Sequence, residues 1–408
     1  MLVALWKDGT PFSLAEPHEY SWLLKQREEQ TFLCPICHSP LLMKLGMKKC
    51  YHFAHKRESD CLSHSEPETP AHIQGKKDLY EWLKKQELSP KLEWYFPEIN
   101  QRADVGLTCF PQSLAFEFQC STIPIEKLLE RDKGYRNRDM QPIWIWHKKR
   151  LRQLSTHTFQ LTPLEWSTLR FPFIHPPLTL RQQQKGFLIF YEPSSQYVTF
   201  LYHLIPLNSR RVMAEKVTRP LGSLSLQDLL KPFLLPKQHS LLANWMMVKK
   251  KWRVGYVAYS QVFEYELQRV ASNKAVVWKA FPGVVGLPTG DFACIETPCY
   301  QWQGWICLIF LFGYSEGTLI EWETVRYKFS QLINRRWIRV QIRCETLNNW
   351  ETVVLSYLQA LCTLGYLRLE SKGAYVIEKK LEWPEPFLDE LMKEDQHMLE
   401  FWLSKEKG

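Results

Sequence analysis

Two carboxylates thirteen positions apart, Asp104 and Glu117, stand in short apolar runs on either side of a turn signal, Phe110-Pro111-Gln112-Ser113. In Leu114-Ala-Phe-Glu-Phe-Gln119, strand alternation sends Phe116 and Phe118 to one face and Glu117 and Gln119 to the other. A hairpin centred on Pro111 and Gln112 sets Asp104, within Arg102-Ala-Asp-Val-Gly-Leu107, roughly opposite Gln119 and diagonal to Glu117. Acids gathered at one end of a hairpin repel unless a cation joins them, and Mg2+ or Mn2+ suits such hard oxygen donors. Hydrolysis of a phosphodiester needs such an ion, to neutralise charge growing on the phosphate and to lower the pKa of the attacking water. Gln119 can orient water or phosphate but cannot take a proton. In an Asp…Glu-x-Lys arrangement the third residue is lysine, and a neighbouring helix could supply that missing charge, with His72 and Lys76, one turn apart, as the leading candidates. Arg131 is a third, with Tyr135 one turn beyond it.

A second constellation is softer. Cys34-Pro-Ile-Cys37 is followed, after fourteen intervening residues, by His52-Phe-Ala-His55. A tight turn aims two thiolates three apart at one ion, and two further soft or borderline ligands close a tetrahedron, so Zn2+ on Cys34, Cys37, His52 and His55 is expected. Cys50, Cys61 and His38 are spare candidates. Four protein ligands leave no position for water, which makes the role structural; the short His-x-x-His step argues against an ordinary DNA-reading finger.

The elements that must carry these side chains are legible in outline. Thr69-Pro70 is an N-cap followed by proline at the first helical position, and the helix runs to about Gln86. A strand around Leu92 to Phe96 precedes the hairpin. Ser121-Thr-Ile-Pro124 then opens a helix through Leu128 and Leu129, and Gln141 to Trp146 reads as a strand whose tryptophans alternate with isoleucines and belong to a core. The order αβββαβ, with acids on the middle strands, is similar to the restriction-endonuclease-like PD-(D/E)xK core, with Gln119 where lysine is usual.

The stretches Cys34-Pro-Ile-Cys37, His52-Phe-Ala-His55, Ala115-Phe-Glu-Phe-Gln-Cys-Ser121, Arg131 with Tyr135, and Ile143-Trp-Ile-Trp146 resemble the competence protein CoiA family. The resemblance covers about the first 150 residues, and that family also carries a long C-terminal region. It implies a zinc-finger-like N-terminal domain, a nuclease-like middle domain and a part in natural transformation. There the family supports recombination of incoming single-stranded DNA alongside a RecA-type recombinase. The family's metal acids fall on Asp104 and Glu117 and its Glu-x-Gln variant on Gln119, with His72, Lys76, Arg131 and Tyr135 as further site residues. A Mg2+-dependent deoxyribonuclease acting on single-stranded or branched DNA is the expectation. The alternative, kept open by Gln119, is a non-catalytic DNA-binding accessory factor that assists the recombinase.

Size and composition agree with this reading. The 408 residues exceed one compact core, and the divisions expected are 1–60, zinc-finger-like; 61–155, nuclease-like; and 156–408, mixed α+β. The Pro-rich run from Phe171 to Pro177 marks a linker. A formal charge of +9 and 17 tryptophans suit a polyanionic partner with bases to stack, and Lys148-Lys149-Arg150 and Lys249-Lys250-Lys251 are local basic clusters. Eleven cysteines, an odd number without export signal, point to thiols and a metal site. No segment is long and apolar enough to span a bilayer, so a cytoplasmic chain is expected. Further on, Phe187–Tyr191 and Tyr197–Leu201 read as a hairpin. The helical spacing from Trp350 to Cys362, followed by two short strands around Ser371-Lys372-Gly373, resembles a winged-helix module.

Overall fold

The structure, a computed structural model, describes residues 1–46, 50–55, 61, 68–109, 112–170, 186–208, 210–230, 239–255, 262–289, 294–341, 349–371 and 373–406. It is a mixed α+β chain in two compact units. Unit 1 comprises Met1–Leu151, Leu188–Phe200 and Val217–Pro232; unit 2 comprises Arg152–Phe187, Leu201–Lys216 and Phe233–Gly408.

Unit 1 begins with β1 (Val3–Leu5), β2 (Pro11–Ser13), α1 (Tyr20–Glu29), β3 (Phe32–Leu33), β4 (Pro40–Lys44) and β5 (His52–His55), whose strands form an antiparallel sheet in the order β2-β1-β3-β4-β5. Alternation drives its packing. Leu41 and Met43 of β4 and Phe53 of β5 turn inward onto Phe12 and Phe32, and Ile73 of the following helix completes this core.

Next come α2 (Pro70–Lys84), β6 (Pro90–Phe96), β7 (Gln101–Leu107), β8 (Ser113–Gln119), α3 (Ile125–Arg136) and β9 (Met140–His147). This is the αβββαβ order expected from the sequence. The strands lie in the order β9-β8-β7-β6; β6, β7 and β8 are antiparallel, and α3 returns the chain to place β9 parallel to β8. Every residue of β9 is buried, Trp144 and Trp146 included, as their alternation with isoleucine requires. The strand Phe187–Glu192 lies parallel on its far side and is followed by its hairpin partner, which starts at Tyr197.

Thr69 caps α2 by accepting a 3.2 Å bond from the backbone N–H of His72, with Pro70 at the first helical position. Ile73, Leu79, Trp82 and Leu83 give the helix its buried stripe. Between them Gly75 lets the helix lie directly on Phe118 of β8, since a Cβ at that position would stand 2.2 Å from the ring.

The hairpin register departs from expectation. Val105 pairs with Phe116, Gly106 with Ala115 and Leu107 with Leu114. One step further along this ladder, Asp104 comes opposite Glu117 instead of Gln119. A shift of two residues preserves the face, because side chains repeat every second residue, so both acids still point to the same side. Phe110 and Pro111, on which the sequence centres the turn, lie outside the described residues, as does the Pro-rich run 171–177.

In unit 2 the helix Cys299–Ile306 continues as one π-helical segment, Cys307–Leu311. There follow a strand Leu319–Glu321, a helix Trp322–Asn334, a helix Trp350–Thr363 and strands Leu367–Ser371 and Ala374–Ile377, with the last strand in the middle of the three-stranded sheet. The helix and the two short strands that the C-terminal spacing suggests are present, and a third strand, Leu319–Glu321, completes their sheet. Of the basic cluster Lys249-Lys250-Lys251, the last two lysines are exposed and the first is not. Lys249 is fully buried, with its Nζ 2.6 Å from Asp395, which also accepts two 2.7 Å bonds from Arg253. Among the described residues no helix is long and apolar enough to cross a membrane, and the ten cysteines are free thiols.

Gly75→Ala tests the α2–β8 contact. Alanine favours helix by about 1 kcal/mol over glycine, but overpacking a buried ring costs about 1–3 kcal/mol. Phe118 is 1% exposed and has nowhere to move, so the clash wins. The variant should melt at a lower temperature, with faster amide exchange along Pro70–Lys84; unchanged exchange would disprove the close contact.

Candidate functional site

The convergence of β7, β8, α2 and α3 encloses a cavity of about 330 Å³ lined by His72, Arg102, Asp104, Glu117, Gln119, Lys127 and Arg131, among others. Five of the seven expected catalytic residues reach it. Asp104 is 7% exposed; its Oδ2 accepts from the backbone N–H of Phe118 at 2.9 Å and lies 3.1 Å from His72 Nε2. Burial alone would raise the Asp104 pKa, but the charges of His72 and Lys76 and these hydrogen bonds outweigh it and hold the group down to about 2. An ionised carboxylate only accepts, which places the shared proton on His72 Nε2.

Glu117 behaves in the opposite way. It is 1% exposed, and burial raises its pKa above the ordinary range. Arg131, bonded to Oε2, and the hydroxyl of Tyr135, bonded to Oε1, reverse this only in part, and the nearby charge of Asp104 adds to the rise. Tyr135 is thus brought to the acid from beneath, fully buried, and Arg131 reaches it from the cavity wall. Gln119 directs its amide nitrogen to Ser121, 3.1 Å from both the backbone oxygen and the hydroxyl. The cavity lining includes two buried acids and an amide, whose oxygens are a hard set that fits Mg2+ or Mn2+.

Lys76 stands behind this site and not in its wall. Fully buried, its Nζ lies 2.7 Å from Glu68, 2.5 Å from Glu93 and 4.0 Å from Asp104 Oδ1. Burial would lower its pKa, but the three acids hold it above its ordinary value. Arg102 donates to Glu68 at 3.0 Å, and Glu93 also accepts a 3.0 Å bond from the backbone N–H of Val3. Glu93 keeps this position with φ at +52°, a left-handed conformation that costs a non-glycine residue on the order of 1–3 kcal/mol. Glu68, Glu93, Arg102 and Lys127 are not singled out by the sequence. Lys127 alone leaves a signal there, one helical turn before Arg131 on α3.

The Cys/His cluster forms with one substitution. Cys34, Cys37, His55 and Cys61 bring their donor atoms within 4.8 Å of one another. His52 is not among them: it lies three residues from His55 on β5, and an odd spacing on a strand points side chains to opposite faces. His52 Nδ1 bonds instead to the backbone oxygen of Cys50 at 2.9 Å. Cys61, a spare candidate in the sequence, is the fourth member. The Cys34–Cys37 turn is closed by His38, whose N–H donates to Cys34 O at 3.0 Å from a left-handed backbone with φ of 56°. Burial pushes the Cys34 thiol up to about 12. Burial also acts on Cys37, but hydrogen bonds from Ser39, His55 and Cys61 outweigh it and bring that thiol down to about 6. Tetrahedral Zn–S bonds of about 2.3 Å put sulfurs about 3.8 Å apart, so three thiolates and an imidazole at this separation fit such an ion.

Three family models match the chain: the competence protein CoiA N-terminal domain over residues 16–64, its nuclease-like domain over 68–234 and its C-terminal domain over 241–391. Competence protein CoiA of Bacillus subtilis (strain 168) is 30% identical over 359 residues, covering 87% of this chain and 91% of that protein. No solved structure matches.

Cys61→Ser and His52→Ala separate the two ligand sets. The purified chain should carry one metal equivalent on this cluster, lost in Cys61→Ser and retained in His52→Ala when metal content is measured by mass spectrometry. Metal loss from His52→Ala with retention in Cys61→Ser would restore the Cys2His2 set.

Proposed function

This chain belongs to the competence protein CoiA family, and from that premise we propose that unit 1 hydrolyses DNA phosphodiesters as a Mg2+- or Mn2+-dependent nuclease of the PD-(D/E)xK type, acting on incoming single-stranded or branched DNA in natural transformation. The observation that carries this reading is that Asp104 and Glu117, each next to the Val105–Phe116 pair of β7 and β8, line one cavity beside Arg131 and Lys127. Asp104 and Glu117 would hold the ion, with Gln119 as a neutral neighbour. When bound, the ion supplies charge neutralisation at the phosphate and a more acidic water. Arg131 and Lys127 bind phosphate oxygens from α3. His72 orients Asp104 through its Nε2 proton. Tyr135 holds the Glu117 carboxylate in place, and Lys76 positions Asp104 from behind by balancing the charges of Glu68 and Glu93. The Cys34, Cys37, His55 and Cys61 cluster would hold structural zinc, since four protein ligands leave no place for substrate.

A second reading has an observation in its favour. Lys76 is buried and Gln119 replaces the usual lysine, so the customary lysine beside the second acid is absent. An accessory factor that binds DNA and assists a RecA-type recombinase would keep the basic cavity wall without cutting.

Asp104→Ala and Glu117→Ala should each abolish cleavage in Mg2+ while leaving the fold and DNA binding in chelator intact. If the wild-type protein cuts no single-stranded or branched DNA with Mg2+ or Mn2+, the accessory reading stands instead. The pKa values give a further expectation. Protonated Glu117 cannot ligate, and its raised pKa brings that loss on earlier as pH falls, whereas Asp104 stays ionised to about pH 2. Mn2+ followed by electron paramagnetic resonance should bind more weakly at pH 5 than at pH 7. In Glu117→Gln the residual affinity should not change between these pH values. Equal wild-type affinity at both would remove Glu117 from the ion.

A further inference from the structure

We infer that unit 2 carries a binding surface for single-stranded nucleic acid on the exposed face of the helix Trp322–Asn334 and the turn that follows, built from residues none of which belongs to unit 1. The inference does not rest on the nuclease reading.

Among the described residues, the helix Trp350–Thr363 and the strand that carries Arg368 offer no free cation. The helix Trp350–Thr363 buries Val353, Val354, Tyr357, Leu358, Ala360 and Leu361 and carries one charged residue, Glu351. It has no cation for a phosphate. On the strand, Arg368 is bonded to both Glu370 and Glu378, so its charge is neutralised locally.

The preceding helix differs. Between Trp322 and Arg339 there are four basic residues before Arg339 itself and one acidic residue. Val325, Phe329 and Leu332 face the core, which turns Tyr327, Lys328, Gln331 and Arg335 outward as a stripe at helical spacing. Tyr327 is 65% exposed. Lys328 Nζ lies 5.3 Å from the centre of the Phe310 ring and the Arg335 guanidinium 5.2 Å from that of Trp337, so both cations rest on aromatic faces. Among the described residues no carboxylate pairs with Lys328, Arg335 or Arg336, while Arg339, 65% exposed, reaches Glu296 only at 3.8 Å. Arg336 closes the helix with φ of 57°, where glycine would be less strained. The helix dipole accounts for a cation in the last turn; it does not account for Lys328 two turns earlier or for Tyr327 in water.

Cations without acids attract a polyanion, and an exposed ring between them can stack a base. Lys328 to Arg335 spans about 10 Å of helix axis, room for about three nucleotides at 3.4 Å each. A duplex keeps its bases stacked inward and would leave Tyr327 unused.

The test uses the full chain in EDTA, which excludes metal-dependent cleavage, with a fluorescent 20-nucleotide oligothymidine as probe. Lys328→Glu/Arg335→Glu/Arg336→Glu should weaken binding at least tenfold and flatten the dependence of log K on log salt by about 2, from three lost contacts of about 0.7 each. Tyr327→Ala should weaken it about fivefold or more with the salt slope unchanged. Should the triple variant not fold, Lys328→Ala and Arg335→Ala, each lowering the slope by about 0.7, replace it. Wild-type affinity and slope in the charge variants would overturn the inference, and so would a 20-base-pair duplex that binds as tightly as the oligothymidine and loses as much with Tyr327→Ala.

Discussion

A carboxylate withdrawn from water must be given a cation or a proton, because the effective cost of burying it uncompensated is several kcal/mol. Unit 1 buries four of them close together: Glu68, Glu93, Asp104 and Glu117 are each fully or nearly fully buried and deprotonate only in the company of Lys76, Arg102, His72 and Arg131. Lys76 is the member on which the arrangement turns, since its one ammonium touches Glu68 and Glu93 and stands 4.0 Å from Asp104. To place that ammonium, α2 must lie against β6 and β7, and it can do so because Gly75 admits Phe118. The same network reaches the first strand, where Val3 donates to Glu93 and the N-terminal ammonium lies 2.7 Å from Glu68. The small sheet with the Cys/His cluster is thereby tied to the acid site by charge as well as by packing. Loosening one should be felt at the other.

Much of this arrangement is legible in the sequence. The αβββαβ order follows from an N-cap with proline, from alternation around Glu117 and from a tryptophan–isoleucine strand, all of them local signals. What cannot be read there depends on partners far apart in the chain. Glu93, in Lys-Leu-Glu-Trp-Tyr-Phe96, looks like the solvent-facing residue of an ordinary strand; only the helix laid across it makes it a buried counter-ion. Arg102 and Glu68 are of the same kind. A turn centred on Pro111 and Gln112 misplaces the hairpin register by two residues because it contains no dipeptide that fixes loop length, yet the period of two leaves the acids on a common face. His52 is excluded from the cluster by the same period acting the other way. Once His52-Phe-Ala-His55 is a strand, alternation allows only one of its two histidines to face the thiols.

The two ligand groups of unit 1 divide by hardness. Three thiols and an imidazole favour a borderline ion and enclose it; two carboxylates beside an amide favour a hard ion and leave a cavity next to it. Such separation would allow one chain to hold a structural ion without poisoning the proposed reactive site, since neither ion is well served by the other's donors.

The two acids of the proposed reactive site are themselves unequal, and the inequality has a use. Asp104 is fixed as an anion by groups behind and beside it, so it can anchor an ion at any physiological pH. Glu117 keeps a raised pKa despite Arg131 and Tyr135, because burial outweighs both. Of the two, Glu117 is therefore the acid whose charge a cation would most improve. Asp104 and Glu117 would hold a divalent ion whose charge offsets the burial of Glu117, and Arg131 would then have less need to neutralise that carboxylate. In the proposed site, ion and substrate would then be coupled through a single side chain, since Arg131 bonds the same Glu117 carboxylate that would hold the ion.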